Sequence, residues 1–455
     1  MMEEKSKNCL FCGNDNATKC QFCHLVTTCQ PHLPLHHDDY QEFCYPFKIE
    51  QKDGVGRCLV AARKISAGDL ILSDTAAAFG PRPETLKPES CSQCYKSSFY
   101  KCCCGLNVCR SCLKNHSSKA ECKILQVSKY FDYQGVIRAL TPLRLWQAQL
   151  NDRDLAARLD LLMDHDQFHG EEEQKCADNL VSITGFNEYK KDFLRCIGLL
   201  KTNAVEVNGQ ARALFPTFSF CSHSCHNNAR HVIEPMDESF KISLYAQVDI
   251  EALEEITITY INLLRPTFER QEKLEYLWHF VCQCSRCQDP TEFGTQIGHV
   301  KCPQCKKVML NDIAKESFSC CQSVTYVQVN QLTNQCLQLL NRIIKVTPSS
   351  KIESEQLQEF LNLTQDYLHE NHYLRILAKR LLSQIVSEPK EKKKLCQDLL
   401  QVFDKLDPGI SHSRGMTLYE LYKATSDQDL IPQIRQCLRR ECKDSVAGKA
   451  YRTLI

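Results

Sequence analysis

The sequence predicts an α+β, multi-domain, zinc-rich protein: a β-rich portion divided by cysteine clusters, followed by an all-α C-terminal domain. Three observations predict it. The 455-residue chain carries 30 cysteines, and many fall in C-x2-C pairs with histidines at the closing positions. Between the clusters run short β-branched segments bounded by glycine turns. From about Val327 onward, leucines recur at helical spacing.

Composition sets the frame. An apolar fraction of 43% and a charged fraction of 24% are ordinary for globular domains. The length allows two to four of them. A net charge of +1 gives no overall pull toward nucleic acid or an anionic membrane, so direct binding to either is not expected. The start of the chain, Met1 to Cys9, has no apolar stretch of the secretory kind. No run approaches the ~18 apolar residues of a membrane span. The chain is therefore expected in the nucleus and/or cytoplasm, as a monomer. In such a reducing compartment cysteines serve as metal ligands rather than as a disulfide framework.

Two thiolates separated by two residues reach one tetrahedral ion across a tight turn. The first cluster, within residues 1–44, holds Cys9/Cys12 and Cys20/Cys23, then Cys29, His32, His36, His37 and Cys44. An interleaved arrangement is expected: Cys9, Cys12, Cys29 and His32 on one ion, and Cys20, Cys23, His36 and Cys44 on the other. His37 is an alternative to His36. The second cluster, 91–122, holds Cys91/Cys94, the run Cys102-Cys103-Cys104, Cys109/Cys112, His116 and Cys122. Cys102 and Cys104 are the favoured ligands of that run, with Cys103 as the substitute. The third cluster, Cys282, Cys284 and Cys287, is one ligand short. A fourth group pairs Cys302/Cys305 with the adjacent Cys320-Cys321. Adjacent cysteines chelate one ion poorly, so this group reads as a ribbon with a decayed second knuckle. Cys58, Cys176, Cys196, Cys221, Cys336, Cys396, Cys437 and Cys442 read as small buried hydrophobes.

The intervening segments supply the fold. Asp53-Gly54-Val55-Gly56 is a turn, and Arg57 to Ile65 a strand leaving it. Ser66-Ala67-Gly68-Asp69 reads as a hairpin turn with Leu70-Ile71-Leu72 as the returning strand. Residues 126–200 read as a helical insert, with Leu155, Leu159, Leu162 and Met163 at helical spacing. Phe240 to Ala246 and Glu255 to Tyr260 alternate as strands do. Residues 326–455 read as paired, repeat-like helical hairpins interrupted by the turn Asp407-Pro408-Gly409. The run 390–394 reads as a solvated helix face.

Together these pieces resemble the SMYD family, SET-domain lysine methyltransferases split by a MYND zinc finger. Gly56-Arg57-Cys58-Leu59-Val60-Ala61 resembles the family's Gly-Arg-Gly-Leu-x-Ala cofactor loop. Cluster 91–122 resembles the inserted MYND finger, and Ser222-His223-Ser224-Cys225 the Asn-His-Ser-Cys motif. Glu254 to Tyr260 resembles the Gly-Glu-Glu…Tyr strand, and Phe280 to Cys287 the post-SET finger. Leu406-Asp407-Pro408-Gly409 with Arg414-Gly415 resembles the C-terminal helical domain. The cluster within 1–44 resembles the additional finger of arthropod-type members.

The resemblance implies a domain plan: a MYND-like finger at 1–44, a SET domain at 45–262 interrupted by the 91–122 finger and the 126–200 insert, a post-SET and ribbon region at 263–325, and a TPR-like helical domain at 326–455. It implies S-adenosylmethionine bound by Gly56, Arg57, Cys58, Asn203, Ser222, His223 and Phe280, with Tyr260 as the catalytic residue. It implies Cys225 as the fourth ligand of the Cys282, Cys284 and Cys287 zinc, and about five zinc ions in all. The implied partners are a substrate lysine, histone or non-histone, and short peptides bound by the fingers.

Five positions depart from the family pattern. Ser222 replaces Asn, Leu253 and Cys58 replace Gly, Asn227 replaces Pro, and Trp278 replaces a channel tyrosine. Losing one polar contact to a charged ligand costs ~1.5–3 kcal/mol. Tyr260, His223 and Phe280 point to a protein-lysine methyltransferase. Ser222 and Trp278 point to the alternative, a non-catalytic interaction scaffold of the transcriptional co-repressor kind.

Overall fold

The computed structural model describes residues 9–11, 15–21, 26–38, 43–54, 56–128, 132–236, 239–345, 350–441 and 445–454. Cys12, Cys23 and Cys442 lie outside them. No helix among the described residues is long and apolar enough to cross a membrane.

The β-rich portion is a set of small sheets. Phe47–Lys52 and Gly56–Ala61 form an antiparallel hairpin closed at Lys52 and Gly56. Leu70–Thr75, Phe240–Ala246 and Ala229–Pro235 form a three-stranded antiparallel sheet with Phe240–Ala246 in the centre. Ala78–Pro81, Ala211–Leu214 and Val205–Glu206 form another. Ser222–His223 and Thr257–Ile258 pair in parallel.

Three local expectations are corrected. Residues 66–69 do not return the chain onto the preceding strand. Ile65 instead exchanges backbone hydrogen bonds with Ile250 at 2.9 Å each, and the Gly68 N–H donates to Ala246 at 2.8 Å. The turn therefore hands the chain from one sheet to another. The segment 255–260 is not one continuous strand. Glu255 bridges Val60, Thr257–Ile258 pairs with Ser222–His223, and the Tyr260 N–H donates to His223 Nδ1 at 3.0 Å. Its backbone is divided among several partners, so no long ladder forms. The helix carrying Leu155 and Leu159 is Arg153–Leu159 and ends before Leu162, which is buried, and Met163, which is exposed.

The insert is helical over Tyr133–Asn151, Arg153–Leu159, Glu171–Thr184 and Lys190–Asn203. Its apolar side joins one hydrophobic core with the sheets and the finger at 91–122. The C-terminal helices Tyr326–Lys345, Ser350–Thr364, Tyr373–Ile385, Pro389–Leu406, His412–Thr425 and Ile431–Leu438 pack largely on their sequence neighbours. The core of the first four also takes in Val300, Cys302, Met309 and Phe318 from the preceding segment, while the last two share a core of their own.

The seam between the two regions is polar. The Gln247 amide donates to Asp407 Oδ1 and to the Pro408 carbonyl, both at 2.8 Å, and the Ile410 N–H donates to the Gln247 carbonyl at 2.9 Å. Gly409 makes this approach possible. Its φ is +73°, and a Cβ there would lie 2.2 Å from the Gln247 carbonyl oxygen.

Candidate active site and zinc centres

The cysteines of the internal finger separate into two interleaved sets. Cys91, Cys94, Cys109 and Cys112 bring their ligand atoms within 4.8 Å of one another, as do Cys102, Cys104, His116 and Cys122. A tetrahedral zinc with Zn–S bonds of about 2.3 Å holds its sulfurs about 3.8 Å apart. The Sγ atoms of Cys94 and Cys109, and of Cys102 and Cys122, are 3.7 Å apart, which suits that ion. Cys103 is exposed and its Sγ accepts from Gln126 at 2.9 Å.

His116 presents Nε2 at 3.2 Å from Cys104 Sγ, while Nδ1 faces Glu121 Oε1 at 3.3 Å. A carboxylate behind the second nitrogen fixes the tautomer that leaves Nε2 free to ligate. Glu121 is itself buried. Burial opposes its charge, but the Arg144 guanidinium at 2.5 and 2.9 Å, with His116 and Gln93, holds the carboxyl well below the usual range. Arg144 also donates to the carbonyls of Phe79 at 2.9 Å and Ser92 at 3.3 Å. Sequence reading missed Glu121 and Arg144, because their spacing carries no periodic signal.

In the first cluster, His32 Nδ1 lies 3.5 Å from Cys9 Sγ and 3.1 Å from Cys29 Sγ, and Cys20 and Cys44 approach to 3.5 Å. His36 and His37 are both buried. Cys225 gathers with Cys282, Cys284 and Cys287. Two fully buried arginines serve this set. Arg270 Nε donates to Cys225 Sγ at 3.2 Å, and Arg286 Nη1 to the Cys225 carbonyl at 3.3 Å. Both also bind the buried carboxylate of Glu292, at 2.5 and 2.8 Å. A zinc with four thiolates carries a net charge of about −2, and buried cations offset it. The fourth group is a correction: Cys302, Cys305, Cys320 and Cys321 also converge within 4.8 Å, despite the adjacency of the last two.

The residues expected around the cofactor are joined by a chain of contacts. Arg57 Nη1 donates to the Leu161 carbonyl at 2.5 Å, and Asn203 Nδ2 to the carbonyls of Met163 at 2.8 Å and Leu199 at 3.0 Å. Trp278 Nε1 donates to the Thr202 carbonyl at 3.0 Å. Its ring lies 5.1 Å from Tyr260, which lies 5.2 Å from His223, which lies 6.1 Å from Phe280. Ser222 sits beside His223 on the short parallel strand.

The Tyr260 hydroxyl donates to the Cys221 carbonyl at 2.5 Å, and burial first of all pushes its phenol upward. Cys58 is buried in its strand, where burial and then Glu255 push its thiol up to about 11. Gly56, at φ +90°, has no heavy atom within 4 Å of where a Cβ would be, so open space lies over the start of the strand. Thr259 and Ile261 line a cavity of about 470 Å³ that also takes its walls from Arg230, Leu337, Tyr373 and Leu377.

The SET domain family matches residues 56–261. The SET domain-containing protein SmydA-8 isoform B of Drosophila melanogaster is 30% identical over 267 residues, 54% of this chain and 58% of that protein. The mouse histone-lysine N-methyltransferase Smyd1 is 23% identical over 376 residues, 72% of this chain and 75% of that protein. The chain carries a SET domain and is similar to SMYD proteins. It spans 58% and 62% of the two SmydA-8 isoforms it matches. Among solved structures, the SET domain of LSMT with lysine and AdoHcy is 13% identical at a TM-score of 0.35, covering 90% of this chain and 86% of that one.

Measured against the SMYD motifs, the departures have visible accommodations. Leu253, at the motif glycine, adopts φ +70° and is 69% exposed, so the backbone keeps a glycine-like conformation under a leucine. Asn227, at the motif proline, is buried and donates to the Ala229 carbonyl at 3.0 Å and Gln247 Oε1 at 3.3 Å. Trp278 replaces a tyrosine hydroxyl with an indole N–H committed to Thr202.

Proposed function

We propose that the chain is an S-adenosylmethionine-dependent protein-lysine N-methyltransferase of the nucleus or cytoplasm, with histones as the first substrates to test. The observation that carries this reading is the half-buried aromatic group of Tyr260, His223, Trp278 and Phe280, tied to Thr202 and backed by the cavity at Thr259 and Ile261. Tyr260 lies between two cavity-lining residues while its own ring contacts are to His223 and Trp278. The segment thus borders the cavity, assigned to a protein substrate, and on its ring side the residues assigned to the cofactor.

The open space at Gly56 and the polar groups of Asn203, Ser222 and His223 fit S-adenosylmethionine. When bound, that cofactor supplies an electrophilic methyl group on a sulfonium. The residues around it position and exclude water. Asn203 donates its amide hydrogens to two carbonyls, which orients its Oδ1 as the acceptor for a ligand amine. His223 accepts the Tyr260 N–H and fixes the backbone carrying the phenol. The upward shift of Tyr260 keeps that phenol a donor at neutral pH. The substrate amine must arrive neutral, because its lone pair makes the new bond. We also assign zinc to the four-ligand sets at Cys91, at Cys102 and at Cys225, and to the sets of the N-terminal cluster.

Calorimetric titration of zinc-replete protein with S-adenosylmethionine tests the reading. Binding is expected, and Tyr260→Phe should keep it while losing methyl transfer to a peptide library. No binding at millimolar cofactor would sink the enzyme reading. A second reading, an interaction scaffold, is favoured by Trp278 against Tyr260 and by Phe99, which is 87% exposed on the finger beside Tyr100.

A further inference from the structure

From the convergence of Cys302, Cys305, Cys320 and Cys321 we infer that the segment between the Cys225 set and the C-terminal helices binds a further zinc ion, as a tetrathiolate ribbon. The first knuckle repeats the backbone hydrogen bonding of the finger knuckle at Cys91. There, the Cys91 N–H donates to Lys96, the Tyr95 N–H to Cys91, and Ser90 bridges Ser97. Here, the Cys302 N–H donates to Lys307, the Lys306 N–H to Cys302, and Lys301 bridges Val308. The left-handed residue falls at the same place, Tyr95 at φ +62° and Lys306 at φ +60°. The Cys305 N–H also points at Cys302 Sγ, at 3.5 Å.

The second knuckle is built differently. Ser317–Ser319 and Ser323–Thr325 form a hairpin, and Cys320 and Cys321 stand in its loop. Adjacent side chains on a strand point to opposite faces, but in a tight loop the chain rotates between them. Their Sγ atoms lie 3.7 Å apart, with Cys321 at 3.5 Å from Cys302 and Cys320 at 3.6 Å from Cys305. These are the edges of a tetrahedron around zinc and are too long for a disulfide, whose sulfurs lie ~2.0 Å apart.

The ion would fasten a segment that is laced to the helical domain. The Lys301 N–H donates to Tyr367 at 2.7 Å, Val300 bridges Leu368, and the Tyr373 N–H donates to Ile297 at 2.8 Å. Only Cys302 of the four is buried. This ion is therefore the most accessible to chelators among the described sets.

Two measurements on the full chain test this. Zinc content by mass spectrometry should fall by about one equivalent in the Cys320→Ser/Cys321→Ser double variant, whose altered side chains are exposed. An unchanged count would overturn the assignment. In the native protein, short iodoacetamide treatment should modify the exposed Cys103 but spare Cys305, Cys320 and Cys321 until a chelator is added. Equal labelling of all four before chelation, or a Cys320–Cys321 disulfide in freshly purified reduced protein, would overturn it as well.

Discussion

Replacing Glu292 with glutamine should be among the most damaging single-atom changes in this protein. The Glu292 side chain is 3% exposed, and those of Arg270 and Arg286 are 0% exposed. One oxygen, Oε2, accepts from Arg270 at 2.5 Å and from Arg286 at 2.8 and 3.0 Å, while Oε1 accepts the Thr267 N–H at 3.0 Å. Removing one partner of a buried ion pair costs 3–5 kcal/mol, because the remaining charge stays buried. Here two guanidiniums stay, but the sulfurs of Cys225 and Cys287, thiolates once the assigned zinc is bound, still face Arg270, so the lower end applies, about 3 kcal/mol. The two tryptophans are Trp146 and Trp278, and Trp278 packs beside this cluster. In a Trp146→Phe background, urea unfolding followed by Trp278 fluorescence therefore reports the region. Glu292→Gln should lower its unfolding free energy by about 3 kcal/mol with zinc present. A change below about 1 kcal/mol would refute the claim that the triad is desolvated.

Other outcomes follow from single contacts. Cys225→Ala should release one zinc and also weaken S-adenosylmethionine binding, because Cys225 Sγ lies 3.2 Å from His223 Nε2; zinc analysis with calorimetry reads both. Leu253→Gly should raise the melting temperature, relieving a left-handed conformation that costs a non-glycine residue ~1–2 kcal/mol, less the entropy glycine adds to the unfolded chain. His372 caps the helix Tyr373–Ile385 by accepting the Leu374 N–H at 3.3 Å, and burial, then His369 and Arg375, lower it to about 3. The unfolded chain takes up that proton near pH 6.5 and the native state does not, so stability falls as pH drops from about 6.5 toward 3. His372→Asn keeps a neutral cap and should reduce that slope by up to ~1.4 kcal/mol per pH unit in urea titrations at several pH values.

What was legible in the sequence was what chelation and periodicity force into local spacing. The alternating cysteine pairs at 91–122 announce themselves, because each thiolate pair must close within one turn. Cys225 has no local partner and entered only through the family motif. Glu121, Arg144, Arg270, Arg286 and Glu292 carry no such mark, since residues behind a ligand need only meet in space. The turn at 66–69 misled because its partner, Ile250, lies far along the chain and only the folded sheet brings the two together. The ribbon at 302–321 reads as decayed because adjacent cysteines chelate one ion poorly, whereas these two occupy a hairpin loop that brings both sulfurs to the other pair.

Arg144 gives the internal finger a character that its thiols alone would not. Its guanidinium rivets three pieces at once: the strand at Phe79, the finger loop at Ser92, and the carboxylate behind the ligand His116. The finger is thus not a portable cassette. Grafted onto another scaffold, it would carry every thiol but leave behind the cation that steadies Glu121, and with it the tautomer of His116. Chimeras that exchange fingers between relatives should keep their metal only when the helix Tyr133–Asn151 travels with them.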